Sequence, residues 1–429
     1  MSLRLPLLAA GFLIAGTALA NDWPEFRGPN RDGICTETGL LKSWPKDGPP
    51  LVWTTKNLGL GFGTPSVAAG KIFGLGTRDG KDGMWAIKEA DGKDLWFTPF
   101  DEPRKTNQNN GPSATPTYND GKLYVESSNG KLVCANADTG KILWTVDYLA
   151  DFGGKVPAWG YTESVLIDGD KVVCTPGSAD ATVVALNKNT GKVIWKSKLG
   201  AAGNGAGYCS PIKVTINGVP MYIVLLGQSG GLVGINPTDG KELWKYTKAA
   251  LGGVAQIPMP VVKGNHVWFS TSYSGGSALL EINAESQDKV SVKELKTYKK
   301  PDLNNHHGGM VLVGDYIYFG HDQNQGFPVC VDIKTGEIVW GPVKKNSEFA
   351  GGNGSAAALY ADGRLYYRYQ NGVMVLMDPS PEGLKVVSSF KLPQQSGKES
   401  WPHPVIANGK LYIRDQDKLL CFNVKADKN

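Results

Sequence analysis

Two stretches decide the fold: Val133-Cys-Ala-Asn-Ala-Asp-Thr-Gly-Lys-Ile-Leu-Trp144 and Val184-Ala-Leu-Asn-Lys-Asn-Thr-Gly-Lys-Val-Ile-Trp195. In each, an apolar strand enters a polar turn containing Gly and leaves it as a second strand ending in Trp. The same pattern closes at Trp96, Trp244 and Trp340, and the intervals between successive closing Trp residues are 48, 51, 49 and 96. The last interval is two periods, so a copy without its Gly and Trp lies between Trp244 and Trp340. Leu279 to Asn283 and Val290 to Leu295 supply it. Another worn copy follows at Val375 to Asp378 and Leu384 to Phe390.

Upstream of each copy lies a further pair of strands around a Gly-containing turn, as in Ala114 to Glu126, Ser164 to Thr175 and His403 to Arg414. Each period therefore holds four short strands, and no ten-residue stretch after the first twenty residues has helical periodicity. Head-to-tail repetition of four-stranded antiparallel units describes an all-β propeller. Outer strands near positions 53, 96, 144, 195, 244, 293, 340 and 388 make it eight-bladed. The last three-strand group, Pro404 to Val424, lacks an outer strand, and Leu51 to Thr55 is an outer strand without a blade. Pairing the two closes the ring and removes a free edge.

Trp53, Trp96, Trp144, Trp195, Trp244 and Trp340 are expected to dock between neighbouring blades. An indole buries about 150–250 Å², enough to set blade spacing. Cys134, Cys330 and Cys421 occupy equivalent positions of a repeated strand and read as buried free thiols, small apolar fillers. Cys35, in the irregular segment before the first blade, stands apart. None of the six cysteines forms Cys-x-x-Cys or an adjacent pair, which excludes a c-type haem signal.

At the start, one positive charge at Arg4, an apolar run from Leu5 to Ile14 and the small residues Ala18-Leu19-Ala20 read as a secretory signal peptide cleaved before Asn21. The expected organisation is a signal peptide at 1–20, an N-terminal strap at 21–50, the propeller at 51–424 and a tail at 425–429. The strap is expected to pack across the bottom or side of the ring. Cleavage removes Arg4 and takes the formal charge from +5 to +4. With acids and bases interspersed and no basic stripe, nucleic acid is not an expected partner. No other segment approaches a membrane span, and the protein is expected to be a periplasmic or extracellular monomer.

Residues leading into the innermost strand of every blade converge on one axial funnel, the usual ligand site of a propeller. Those stretches concentrate Trp, His, Asn and Gly, and His306, His307 and His403 share this register. The candidate ligand-binding residues are Trp159, Glu163, Asn305, His306, His307, Asn353, Trp401 and His403. Trp159 or Trp401 would stack a planar ligand, and Glu163, Asn305 and His307 would supply hydrogen bonds or a cation site. No spacing characteristic of a metal site and no Gly-x-Ser-x-Gly nucleophile motif appears after the signal segment. His266 and His321 read as structural.

The repeat resembles the quinoprotein-type tryptophan-docking motif, Ala-x-Asp-x-x-Thr-Gly-x-x-x-Trp in general form, from about Leu51 to Val424. Proteins built on it include pyrroloquinoline quinone (PQQ) dehydrogenases and the non-enzymatic barrel-assembly lipoprotein of the outer membrane. Asn21 to Gly33 and His306 to Asp315 look like segments of secreted propellers defined by this repeat alone. The chain departs from the dehydrogenases in having no Cys-Cys pair and short loops. It departs from the lipoprotein in having Asn21 where a lipidated Cys would begin the mature chain. The resemblance implies an extracytoplasmic scaffold that binds a protein partner or a small ligand at its funnel, without defined catalysis. The alternative it implies is a PQQ-dependent oxidoreductase, with PQQ and Ca²⁺, acting on an alcohol or sugar.

Overall fold

Each period becomes one four-stranded antiparallel sheet in the computed structural model, which describes residues 21–104, 111–199, 205–227, 230–248, 255–344 and 351–427. Eight sheets follow one another: blades 1 to 7 span 66–101, 117–147, 166–197, 212–246, 261–299, 311–340 and 356–391. Blade 8 takes its three inner strands from 405–423 and its outer strand from Leu51–Thr55, with Trp53 opposite Cys421, so the ring closes as the sequence predicts. The one described α-helix is short, Tyr148–Phe152, capped by the Asp147 carboxylate. Among the described residues no helix is long and apolar enough to cross a membrane. The expected signal peptide lies outside the described residues.

The Trp and Gly of the motif are two halves of one joint. Gly92, Gly140, Gly191 and Gly240 all have φ between +69° and +76°, and a Cβ on any of them would come within 2.4–2.9 Å of a ring atom of Trp53, Trp96, Trp144 or Trp195 from the preceding blade. Glycine is thus required both by the left-handed turn and by the indole lying on it. The indole N–H groups of Trp144, Trp195 and Trp340 complete the joint by donating to the carbonyls of Lys188, Pro237 and Ser380 in the next blade.

Trp244 docks without a Gly to receive it. The following blade is the worn copy, and Trp244 lies over Gly234 of its own blade, with Nε1 on Met221 Sδ, in an apolar cluster shared with Val267 and Phe269 of blade 5. The register of that worn blade also differs from the sequence reading. The residue equivalent to the docking Trp is Lys296, not position 293, and its strand partner is Leu279 where the well-formed copies have Cys, Ala or Gly. A large residue on the third strand leaves no room for an indole above it. Tyr298 joins this blade to the next, donating to Gly336 O. In blade 7 the equivalent pair is Leu376 and Ser388, and here the strap supplies the missing aromatic. Trp44 donates its backbone N–H to Ser388 Oγ and packs on Tyr366 and Phe390 between blades 7 and 8.

One residue of every outer strand is skipped in the pairing, immediately before the docking position: Val52, Leu95, Leu143, Ile194, Leu243, Leu295, Val339 and Val387. These bulges turn an apolar side chain outward while the next side chain points between blades. Even the worn copies keep them. All six cysteines are buried and free, Cys35 against Ala361 of blade 7, where Ile34–Cys35 adds a short parallel strand.

The strap crosses the lower end of the axis. Trp23 bridges to Val67 of blade 1, and Pro24 O accepts from Tyr118 N of blade 2. Arg31 donates to Ser164 O and Val165 O of blade 3, and Arg27 to Met310 O at the entrance to blade 6. Carbonyls of blades 3 and 6, three places apart in the ring, are thereby tied by one segment.

Candidate functional site

Strand register defines what faces the axis. The docking position of each blade pairs across the sheet to one residue of the inner strand: Ser66, Thr117, Leu166, Ile212, Val261, Val311, Leu359 and Val405 in blades 1 to 8. Side chains alternate along extended chain, so residues two and four positions earlier point the same way. Four positions back gives Phe62, Ser113, Thr162, Tyr208, Ile257, His307 and Trp401, and two back gives Thr64, Thr115, Ser164, Ser210 and His403. All of these line a single cavity of about 510 Å³. Phe26 of the strap, 5.0 Å from the His403 ring, forms its floor.

The cavity lining is of two kinds. Blades 1 to 4 contribute hydroxyls, bonded in a belt from blade to blade: Thr115 N donates to Ser164 Oγ, Ser164 N to Ser210 Oγ, and His403 N to Thr64 Oγ1, each at 2.9 Å. These hydroxyls accept from the backbone and keep their own O–H to donate. The second kind is an unbroken series of rings, which begins in blade 1 and ends in blade 4. Phe62 stacks on Trp401 at 4.7 Å, Trp401 on His307 at 4.3 Å, and His307 lies 3.6 Å from His306. His306 meets the edge of Tyr273, which stacks on Trp159, which contacts Tyr208.

The three imidazoles are neutral at ordinary pH. Burial pushes His306 down to about 4 and, with Arg27 and Arg368 nearby, His403 down to about 3; His307 is also held low, by burial and by its two neighbouring histidines. His403 Nε2 donates to His307 O at 2.8 Å, which fixes its tautomer. Glu399 is the sole charged side chain among the described lining residues.

Of the eight candidate residues, Trp159, His306, His307, Trp401 and His403 share the cavity wall. Glu163 does not, and points between blades 2 and 3. There its Oε1 accepts from Thr175 N, and its own N–H donates to Glu126 Oε1. Asn305 is buried behind the wall, bonded to Ser270 Oγ and Gly320 O. Asn353 faces a second groove between blades 7 and 8. The sequence reading missed Phe62, Tyr208 and Tyr273. Tyr208 stands in the axial register and was detectable there; Tyr273 reaches the wall from a loop after the second strand of blade 5, at φ +58°.

Glu163 and Glu126 make a buried carboxyl pair. Burial raises Glu163 to about 7, and burial plus the Glu163 charge raises Glu126 well above the usual carboxyl range. Between its ordinary value of 4.5 and 7, Glu163 keeps in the folded protein a proton that the unfolded chain has released. That contribution to stability is complete below pH 4.5 and is lost as pH rises through 7. Glu163→Gln removes it, so from pH 4.5 to pH 8 the variant is expected to gain on the wild type by about 3 kcal/mol in urea unfolding. The buried histidines act in the opposite direction but equally in both proteins. A difference that does not change with pH would disprove this assignment.

The fold and the axial site define a tryptophan-docked propeller. A family model described as outer membrane protein assembly factor BamB matches residues 84–342, more than half of the chain, and the chain belongs to that family of PQQ-like repeat proteins. A quinoprotein ethanol dehydrogenase of Pseudomonas aeruginosa is 35% identical over 31% of this chain and 22% of its own length. A tetrathionate hydrolase of Acidithiobacillus ferrooxidans is 23% identical over 77% of this chain and 53% of its own. The chain thus spans between about a fifth and a half of the curated relatives it matches here. Among solved structures, a europium-containing methanol dehydrogenase superposes with a TM-score of 0.66 at 13% identity, covering 92% of this chain and 89% of that one, a likeness of fold.

PQQ is a flat tricarboxylate, and holding it with a divalent cation needs positive groups for its carboxylates and oxygen ligands for the metal. The described lining has no positive group, and Glu399 is its one carboxylate. It contains no Arg or Lys, its histidines are neutral, and the nearby Arg27 and Arg368 are bonded to backbone carbonyls. Among the described residues no three His, Cys, Asp or Glu side chains form a metal-holding group. These residues do not fit PQQ with Ca²⁺.

Proposed function

We propose that this chain is an exported binding propeller whose axial cavity holds a small, flat, uncharged ligand and performs no chemistry on it. The observation that carries the reading is the mixed lining of the cavity: an aromatic wall to stack against, hydroxyls of blades 1 to 4 to donate hydrogen bonds, and a floor closed by Phe26. The description of the family as an assembly factor supports a protein partner that carries or senses this ligand. Oxidation of an alcohol with PQQ is the second reading. It draws on the dehydrogenases among the relatives and is opposed by the misfit of the lining.

Incubating the purified protein with PQQ and Ca²⁺ and following dye reduction with a panel of alcohols separates the two. We expect no alcohol-dependent reduction. We also expect flat neutral aromatic fragments to quench tryptophan fluorescence saturably in the wild type and at least tenfold more weakly in a Trp159→Ala/Trp401→Ala variant. Turnover of an alcohol would overturn the binding reading, and equal fragment binding by the variant would move the site away from the axis.

A further inference from the structure

We propose that the groove between blades 7 and 8 is a second binding site, for a small molecule bearing carboxylate or phosphate groups. The groove has a volume of about 410 Å³ and adjoins the axial cavity at Glu399, which lines both. The argument rests on which of its polar groups already have partners.

The side-chain oxygens of Asp415, Gln370 and Asn371 are committed. Both carboxylate oxygens of Asp415 accept from Ser396, at 2.6 and 2.8 Å. Gln370 Oε1 accepts from Trp401 Nε1, and Asn371 Oδ1 accepts from the backbone N–H groups of Asn353 and Val373. The donors are in surplus. Arg368, 2% exposed, has a buried Nε without a partner, and so does Gln395 at Nε2. Lys391 and Lys398 stand exposed at the margin, and no described carboxylate pairs with either ammonium. The Arg368 guanidinium is itself fixed, donating to Ser400 O, Ser400 Oγ and Arg414 O.

A concavity with left-over donors and more positive than negative groups is complementary to a ligand rich in acceptors. With one buried guanidinium and two lysines against Asp415 and Glu399, that ligand is anionic. Inorganic phosphate would fill little of the volume, so a larger anion with several acceptor groups matches it better. Trp401 reports on both sites, with its ring on the axial wall and its N–H bonded to a groove residue.

Citrate, phosphate and glucose are the probes, followed by calorimetry and Trp401 fluorescence on the full-length mature protein at low salt. Citrate is expected to bind with a submillimolar Kd, phosphate at least fivefold more weakly, and glucose not at all. Lys391→Gln/Lys398→Gln should weaken citrate at least tenfold, while Lys289→Gln/Lys334→Gln, an equal charge change far from the groove, should alter it less than twofold. Both pairs are exposed, so each variant is expected to fold. Absence of citrate binding at 10 mM, equal binding of glucose, or equal losses in the two double variants would each overturn the proposal. Because alcohol oxidation and fragment binding are read separately, the axial reading stands or falls independently.

Discussion

Deleting residues 21–55 is expected to abolish cooperative folding, whereas removing residues after Val424 should leave the melting curve nearly unchanged. The long deletion takes away the outer strand of blade 8 and with it Trp53, the indole seated on Gly92. It also removes Trp44, which fills the seam where Ser388 has replaced a docking Trp. Loss of a buried Trp costs roughly 3–5 kcal/mol, so two such losses alone approach the roughly 5–15 kcal/mol total stability of a typical folded protein. Beyond them, blade 8 would expose a bare strand edge. After Val424, Lys425 adds a bridge to Leu40, and Ala426 N donates to Gly39 O. Circular-dichroism melting and size-exclusion chromatography check this: a monomeric 56–429 protein melting like the full chain would show that closure is dispensable.

Arg414→Met should be the most damaging single substitution at the closure, lowering stability by about 3–5 kcal/mol in denaturant unfolding. Arg414 is fully buried where the last blade meets the first. Its Nε donates to Gln416 O and its two terminal nitrogens to Gly63 O and Gly59 O, beneath the ring of Trp85. Burial lowers its pKa to about 9, which leaves it charged at neutral pH. Methionine fills similar space but strands three carbonyls. Arg364→Met, at a partly exposed arginine bonded to Lys42 O and paired with Asp378, is the comparison and should cost less than about 1 kcal/mol. Similar losses at both positions would show that the closure does not depend on Arg414.

The ring was legible because its joint is written locally. Trp and Gly recur at a fixed offset, and the missing copies appear as gaps in the spacing. What each joint does where a partner is lost was not legible. Trp244 turns onto Gly234, Lys296 takes the docking register, and Trp44 arrives from a distant segment; all three depend on which side chain sits across the strand or the seam. The site was legible to the same extent. Its histidines and two tryptophans were recognised from the stretches preceding the inner strands. The sequence reading ended at composition, however, and did not apply alternation. Counting in twos from the docking position singles out Tyr208 and, in blade 1, Phe62, but not Trp159 or His306, which reach the wall from odd positions. Asn353 stands six residues before Leu359, the register position of its inner strand, as Asn305 and Glu399 stand before Val311 and Val405, and the three point to different places because the chain has already turned.

The skipped residue before each docking position has a consequence for how such a ring can grow. A propeller of eight sheets presents eight outer edges, and each would offer an uninterrupted row of unpaired amides to a neighbouring chain if its last strand were regular. Here the interruption lies within the same dozen residues as the turn and the indole. A duplicated unit therefore inherits its own protection with its own means of attachment. The blades around residues 296 and 388 have drifted far enough to lose Trp, yet both retain the irregularity, at Leu295 and Val387. Divergence in this lineage has been freer to replace the rivet than to straighten the rim.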